Sequence, residues 1–168
     1  MGRHLTAIAV VLAMVAPVAA QQANLSGTWK LNLTASFTAG DHPAPDYEFK
    51  KILVQEGQTI HQTDIAKHVS VVNIPLPDTN TTMELTTDGQ EHDAQVPGAF
   101  PGMPAAKLKV VAEWQGNTLL VMERSTGPGS ASSTRRRYYL SGDGAHLIEL
   151  VEAHNGFGDT EQRLVFDK

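Results

Sequence analysis

Between residues 105 and 115 the chain shows its clearest alternation. Ala106, Leu108, Val110, Ala112 and Trp114 fall on one side, while Lys107, Lys109, Glu113 and Gln115 share the other with Val111. A two-residue period sends successive side chains to opposite faces, so this stretch predicts a strand with one face in a core and one in water. Similar runs, rich in β-branched residues and bounded by Gly, Pro, Asn and Asp, recur along the chain, and helical periodicity is nearly absent after the first twenty residues. The pattern predicts about ten strands. They cover 25–33, 47–55, 58–74 with a bend near Lys67-His68, 81–87, 90–96, 105–115, 118–126, 133–140, 145–153 and 159–166. Half-buried strands joined by hairpins fit an antiparallel sheet.

The connections alternate between long and short. Glu56-Gly57, Asp88-Gly89, Gly116-Asn117 and Ser141-Gly142-Asp143-Gly144 are tight turns. Residues 34–46, 75–80, 97–104, 127–132 and 154–158 are longer connections. In a meander, successive connections fall at opposite ends of the strands. All tight turns therefore belong to one end and all long loops to the other. This predicts an all-β, up-and-down antiparallel β-barrel with a trim end and a loop-rimmed mouth, where function would concentrate. The alternative is a filled barrel or a sandwich that the loops merely cap.

The first twenty residues change the picture of where this domain resides. A short positive start containing Arg3 precedes an apolar run, Leu5 to Ala16, and Val18-Ala19-Ala20 supplies small residues before Gln21. That is the pattern of a signal peptide over 1–20 cleaved after Ala20, with an N-terminal membrane anchor as the alternative. The expected product is one 148-residue domain, 21–168, periplasmic or secreted and monomeric. The chain has no cysteine, so neither a disulfide nor thiol chemistry is available and packing must hold the domain together. Removing Arg3 with the leader leaves 12 basic against 18 acidic side chains, a net charge of −6. A surface of that sign repels phosphate backbones and argues against nucleic acid as a partner. Arg135-Arg136-Arg137 is the one local exception.

The run Leu25-Ser26-Gly27-Thr28-Trp29-Lys30-Leu31, with Gly27-x-Trp29 opening a ten-strand meander, resembles the calycin group of lipocalins and fatty-acid-binding proteins. It is similar above all to exported bacterial lipocalin-like proteins of unknown function that end on a strand of the type Leu164-Val165-Phe166-Asp167-Lys168. The resemblance implies a lipocalin-like barrel in which Gly27 lets the chain pass close beneath and Trp29 plugs the closed end. It also implies a late basic residue over that ring, for which Arg137, Arg163 and Lys168 are candidates. Fatty-acid-binding proteins hold a ligand carboxylate with an Arg-x-Tyr in their final strand. Here that spacing occurs twice, as Arg136-x-Tyr138 and Arg137-x-Tyr139, although two further strands follow. Either pair shares a sheet face and would offer a guanidinium fork beside a phenol. The alternative is cross-strand ion pairing of these arginines with Glu149, Glu152 and Glu161 on the outer face.

Catalytic chemistry has no motif to stand on. There is no Gly-x-Ser-x-Gly, phosphate loop or His-Glu-x-x-His. The six histidines of the expected product show no established ligand spacing, and Glu91-His92-Asp93 reads as a solvated turn before it reads as a metal site. Phe100, Met103 and Phe157 lie on the loop end, where they would gate a ligand or fold inward to close the core. The expected function is binding of a small apolar or amphipathic molecule, without catalysis, cofactor or metal. The alternative is a surface or periplasmic protein- or glycan-interaction module with a filled barrel. An outer-membrane barrel fits less well, since aromatics are only 6% of the chain and Lys168 ends it.

Overall fold

The computed structural model describes residues 22–39, 47–68, 78–97, 104–125, 132–156 and 158–168. Among them are eleven strands and no helix: β1 (Gly27–Leu31), β2 (Phe37–Ala39), β3 (Tyr47–Glu56), β4 (Thr59–His68), β5 (Thr79–Thr86), β6 (Glu91–Val96), β7 (Ala106–Gln115), β8 (Thr118–Ser125), β9 (Ser133–Leu140), β10 (His146–Asn155) and β11 (Gly158–Asp167). Every ladder is antiparallel, and the order is β5-β4-β3-β1-β11-β10-β9-β8-β7-β6. The last strand lies beside the first, so the sheet wraps into a nearly closed barrel of ten strands. β5 and β6, the two free edges of the ladder, flank the seam.

The tight turns carry the backbone conformation that their sequences call for. Gly57 and Gly116 sit at φ 60° and 63°, in the left-handed region that glycine enters without steric cost. With Asp88-Gly89 and Ser141–Gly144, these turns gather at one end of the barrel. The ends of β4, β6 and β8 at His68, Val96 and Ser125 lie at the opposite end.

One expectation is corrected in detail. The first predicted strand, 25–33, is cut at Leu31, and the chain rejoins β11 as β2. Asn32 is the reason. Its side-chain oxygen accepts from the Thr34 hydroxyl at 2.8 Å and the Ala35 amide at 3.1 Å, an Asx-type turn that competes with the ladder. Ser36 then donates to the Asn32 carbonyl at 2.7 Å and accepts from the Val165 amide at 3.0 Å, which returns the chain to β11. The predicted extension of the third strand beyond His68 to Ile74 lies outside the described residues.

The inward alternation of every barrel strand builds the core. Toward the tight-turn end, Leu25, Trp29, Leu53, Ile60, Leu85, Ala112, Leu119, Leu147 and Phe166 are each at most 2% exposed. This apolar floor buries large aromatic and aliphatic side chains, each contributing roughly 1.5–3 kcal/mol of transfer free energy. Trp29 anchors it. Its indole nitrogen donates to the Leu25 carbonyl at 3.0 Å, and the Lys168 ammonium lies 5.6 Å from the ring centroid. Of the three basic residues expected over this ring, Lys168 is the one in place.

Candidate functional site

Above the apolar floor the barrel interior turns ionic. Strand alternation puts Lys51 inward between Phe49 and Leu53 on β3, and Asp64 inward after Gln62 on β4, with Lys51 and Asp64 directly paired across the ladder. On the far wall, β8 contributes Glu123, β9 contributes Arg136 and Tyr138, and β10 contributes Glu149, with Tyr138 and Glu149 register partners. These side chains meet in one row. Lys51 Nζ lies 3.1 Å from Asp64 Oδ1 and 3.5 Å from Glu149 Oε2. Arg136 donates through Nη1 to Glu149 Oε1 at 2.7 Å and through Nε to Glu123 Oε1 at 3.1 Å. Tyr138 donates its hydroxyl to Glu149 Oε1 at 3.1 Å, and Gln62 donates to Asp64 Oδ2 at 2.9 Å. The row reads Asp64, Lys51, Glu149, Arg136, Glu123, with alternating sign.

Its depth is graded. Lys51 and Glu149 are 1% exposed, whereas Glu123, Asp64 and Arg136 retain 15%, 26% and 29% of their side-chain surface. The centre is sealed and the ends are reachable. Lys51 is further enclosed by the rings of Tyr138, Phe49 and Phe166, with its ammonium 5.2–5.9 Å from their centroids. Burying charge is costly unless it is paired, and the pairing here is what permits it.

The titration behaviour follows. Burial pushes the Glu149 carboxyl up, but Lys51 and Arg136 outweigh it and hold the group below the usual carboxylate value. Burial would lower the Arg136 guanidinium; the Tyr138 oxygen and the Glu149 and Glu123 carboxylates raise it well above its ordinary value instead. Tyr138 is driven well above a free phenol, first by burial and then by Glu149. At neutral pH it is a neutral donor, set between the Arg136 guanidinium and the Glu149 carboxylate.

The two Arg-x-Tyr pairs therefore part company. Arg136 and Tyr138 face the interior, where Arg136 already has two carboxylates. Arg137 and Tyr139 lie on the outer face, where Arg137 ion-pairs with Glu152, which also pairs with Arg135 at 3.3 Å. The ion-pairing alternative thus describes Arg137, and Glu149 lies inside rather than on the outer face. Phe100, Met103 and Phe157 lie outside the described residues. Glu91, His92 and Asp93 do not converge: Glu91 and Asp93 turn to Lys109, and His92 contacts Asp88 at 3.0 Å. Among the described residues no group of His, Asp and Glu is arranged to hold a metal ion.

Sequence reasoning missed Lys51, Asp64, Gln62 and Glu123. A signal for Lys51 was present, since Phe49-x-Lys51-x-Leu53 sets a charge on an otherwise apolar face. A concavity of about 520 Å³ spreads over β7 to β11; outward Val111, Met122, Arg124, Arg135 and Glu152 line it, and so does Glu123.

No family model and no curated protein sequence matches this chain. Among solved structures it is similar to zebrafish ileal bile-acid-binding protein crystallised with cholic acid. That match has a TM-score of 0.52 and 18% sequence identity over 85% of this chain and 97% of the other. The fold is calycin-like. At that identity the likeness is one of architecture.

Proposed function

We propose that this calycin-like chain is an exported, non-catalytic protein that binds a small apolar or amphipathic molecule in its barrel. The observation that carries the reading is the graded exposure of the interior. Inward side chains near the tight-turn end are sealed, while inward Glu123, Asp64, Arg136, Leu108 and Ala94 keep solvent contact. A filled barrel would bury both sets alike. An apolar lining with a few convergent polar groups is the usual composition of a small-molecule site. The zebrafish structure, with cholic acid bound, supports the capacity of this architecture for such ligands. Export rests on the leader-like pattern of residues 1–20. In this reading Arg136 and Tyr138 order the polar wall of the site.

Native mass spectrometry of the protein as purified, followed by solvent extraction, tests the proposal. A stoichiometric adduct that extraction removes supports it. A clean mass together with no uptake of a neutral fluorescent probe contradicts it. The outer concavity around Val111 and Met122 favours a second reading, an interaction module, and a clean mass would move the weight there.

A further inference from the structure

The interior row has an odd number of charges. Counting the described inward side chains of every strand, three carboxylates (Asp64, Glu149, Glu123) face two cations (Lys51, Arg136), an excess of one negative charge. Both cations are committed. Lys51 is enclosed by three aromatic rings and stands between two carboxylates, and Arg136 is shared by Glu149 and Glu123. Within the row two buried oxygens lack a hydrogen bond, while outside it, beside the turn between β7 and β8, the buried Trp114 indole nitrogen also lacks a partner. Glu149 Oε2 and Asp64 Oδ1 are buried and receive no hydrogen bond. The Glu123 carboxylate bonds Arg136 through Oε1, and its side chain keeps 15% of its surface. The row begins and ends on an anion, and those two ends, together with Arg136, keep solvent contact.

We propose that the luminal site selects a ligand with a cationic, hydrogen-bond-donating head, an amine on an apolar body, and rejects carboxylates. This rests on the luminal reading above and gives it a ligand class. An ammonium set against Glu123 continues the alternation of sign and neutralises the interior. A carboxylate set against the remaining N–H groups of Arg136 would add a second uncompensated negative charge where the local dielectric is low. The direction is opposite to the one that Arg136-x-Tyr138 implies when taken as a pair. Its neighbours on β8 and β10 reverse it.

Matched ten-carbon probes test this on the intact protein at neutral pH: decylamine, decan-1-ol and decanoate, by isothermal titration calorimetry. The expected order is amine, then alcohol, then carboxylate, with the amine favoured over the alcohol by about tenfold or more, as a charge-assisted hydrogen bond gives. Glu123→Gln should bring the amine down to the affinity of the alcohol and leave the alcohol unchanged. If that variant does not fold, the three-probe order on the unaltered protein decides alone. Decanoate binding as tightly as decylamine, or the alcohol equalling the amine, overturns the inference and leaves the luminal site standing. No binding of any probe overturns both.

Discussion

Glu149 joins both cations of the interior row. It is 1% exposed, accepts from Arg136 and Tyr138 on one oxygen, and faces Lys51 with the other. Removing it leaves Lys51 with Asp64 alone and Arg136 with Glu123 alone, and leaves the buried Tyr138 hydroxyl without its acceptor. Each hydrogen bond lost between charged groups is worth about 1.5–3 kcal/mol, and the unpaired buried hydroxyl adds about 1–3 kcal/mol. Glu149→Ala should therefore shift the urea midpoint by a large fraction of the total stability, measured by tryptophan fluorescence. The same residue sets a pH dependence. Its carboxyl is held below the 4.5 of a free glutamate, so its contribution is complete above that value and is lost as pH falls through the lowered folded value. Urea midpoints measured across that range should decline for the natural protein and converge on those of Glu149→Gln at the acid end. A constant gap between the two would contradict this account of Glu149.

Among the elements, β1 shows how a short motif can specify geometry. A Cβ built on Gly27 would come 3.2 Å from the Trp29 indole, closer than ordinary van der Waals contact. The ring cannot yield freely, being pinned by Leu25 beneath and Lys168 over it. Gly27→Ala should cost about 1–3 kcal/mol, the usual range for forced overpacking, read as a drop in melting temperature. Trp29→Ala should cost more, about 3–5 kcal/mol, by opening a cavity in the floor. Gly27-x-Trp29 was legible in the sequence because both residues act within one strand. Strand positions were legible for the same local reason: period two and turn residues are written into the chain, as in β7 and at Gly116. The break at Asn32 was hidden because a side chain competing with the ladder looks like any other polar residue. The ionic row was hidden too. Lys51 and Glu149 lie 98 positions apart, on β3 and β10, and only the closure of β1 against β11 sets their charges 3.5 Å apart.

On the scale of the whole molecule, the alternation of short and long connections proved to be the informative quantity. It assigns the tight turns to one end and directs the open half of the barrel toward the other, above a floor that Trp29 and Phe166 seal. The row of charges lies at the boundary between the sealed and the open half. In the proposed reading the interior would hold a ligand by its apolar body and sort it by its head, with the outer concavity over β7 to β11 as the competing place for binding. Methyl-resolved NMR separates the two directly, because neighbouring residues of the same strands face opposite ways. Titration with decylamine should move the methyl signals of inward Leu108, Val110, Val121 and Val151 and leave those of outward Val111 and Met122 in place. Shifts confined to Val111 and Met122, with the inward methyls unmoved, would contradict a luminal site and assign binding to the outer face.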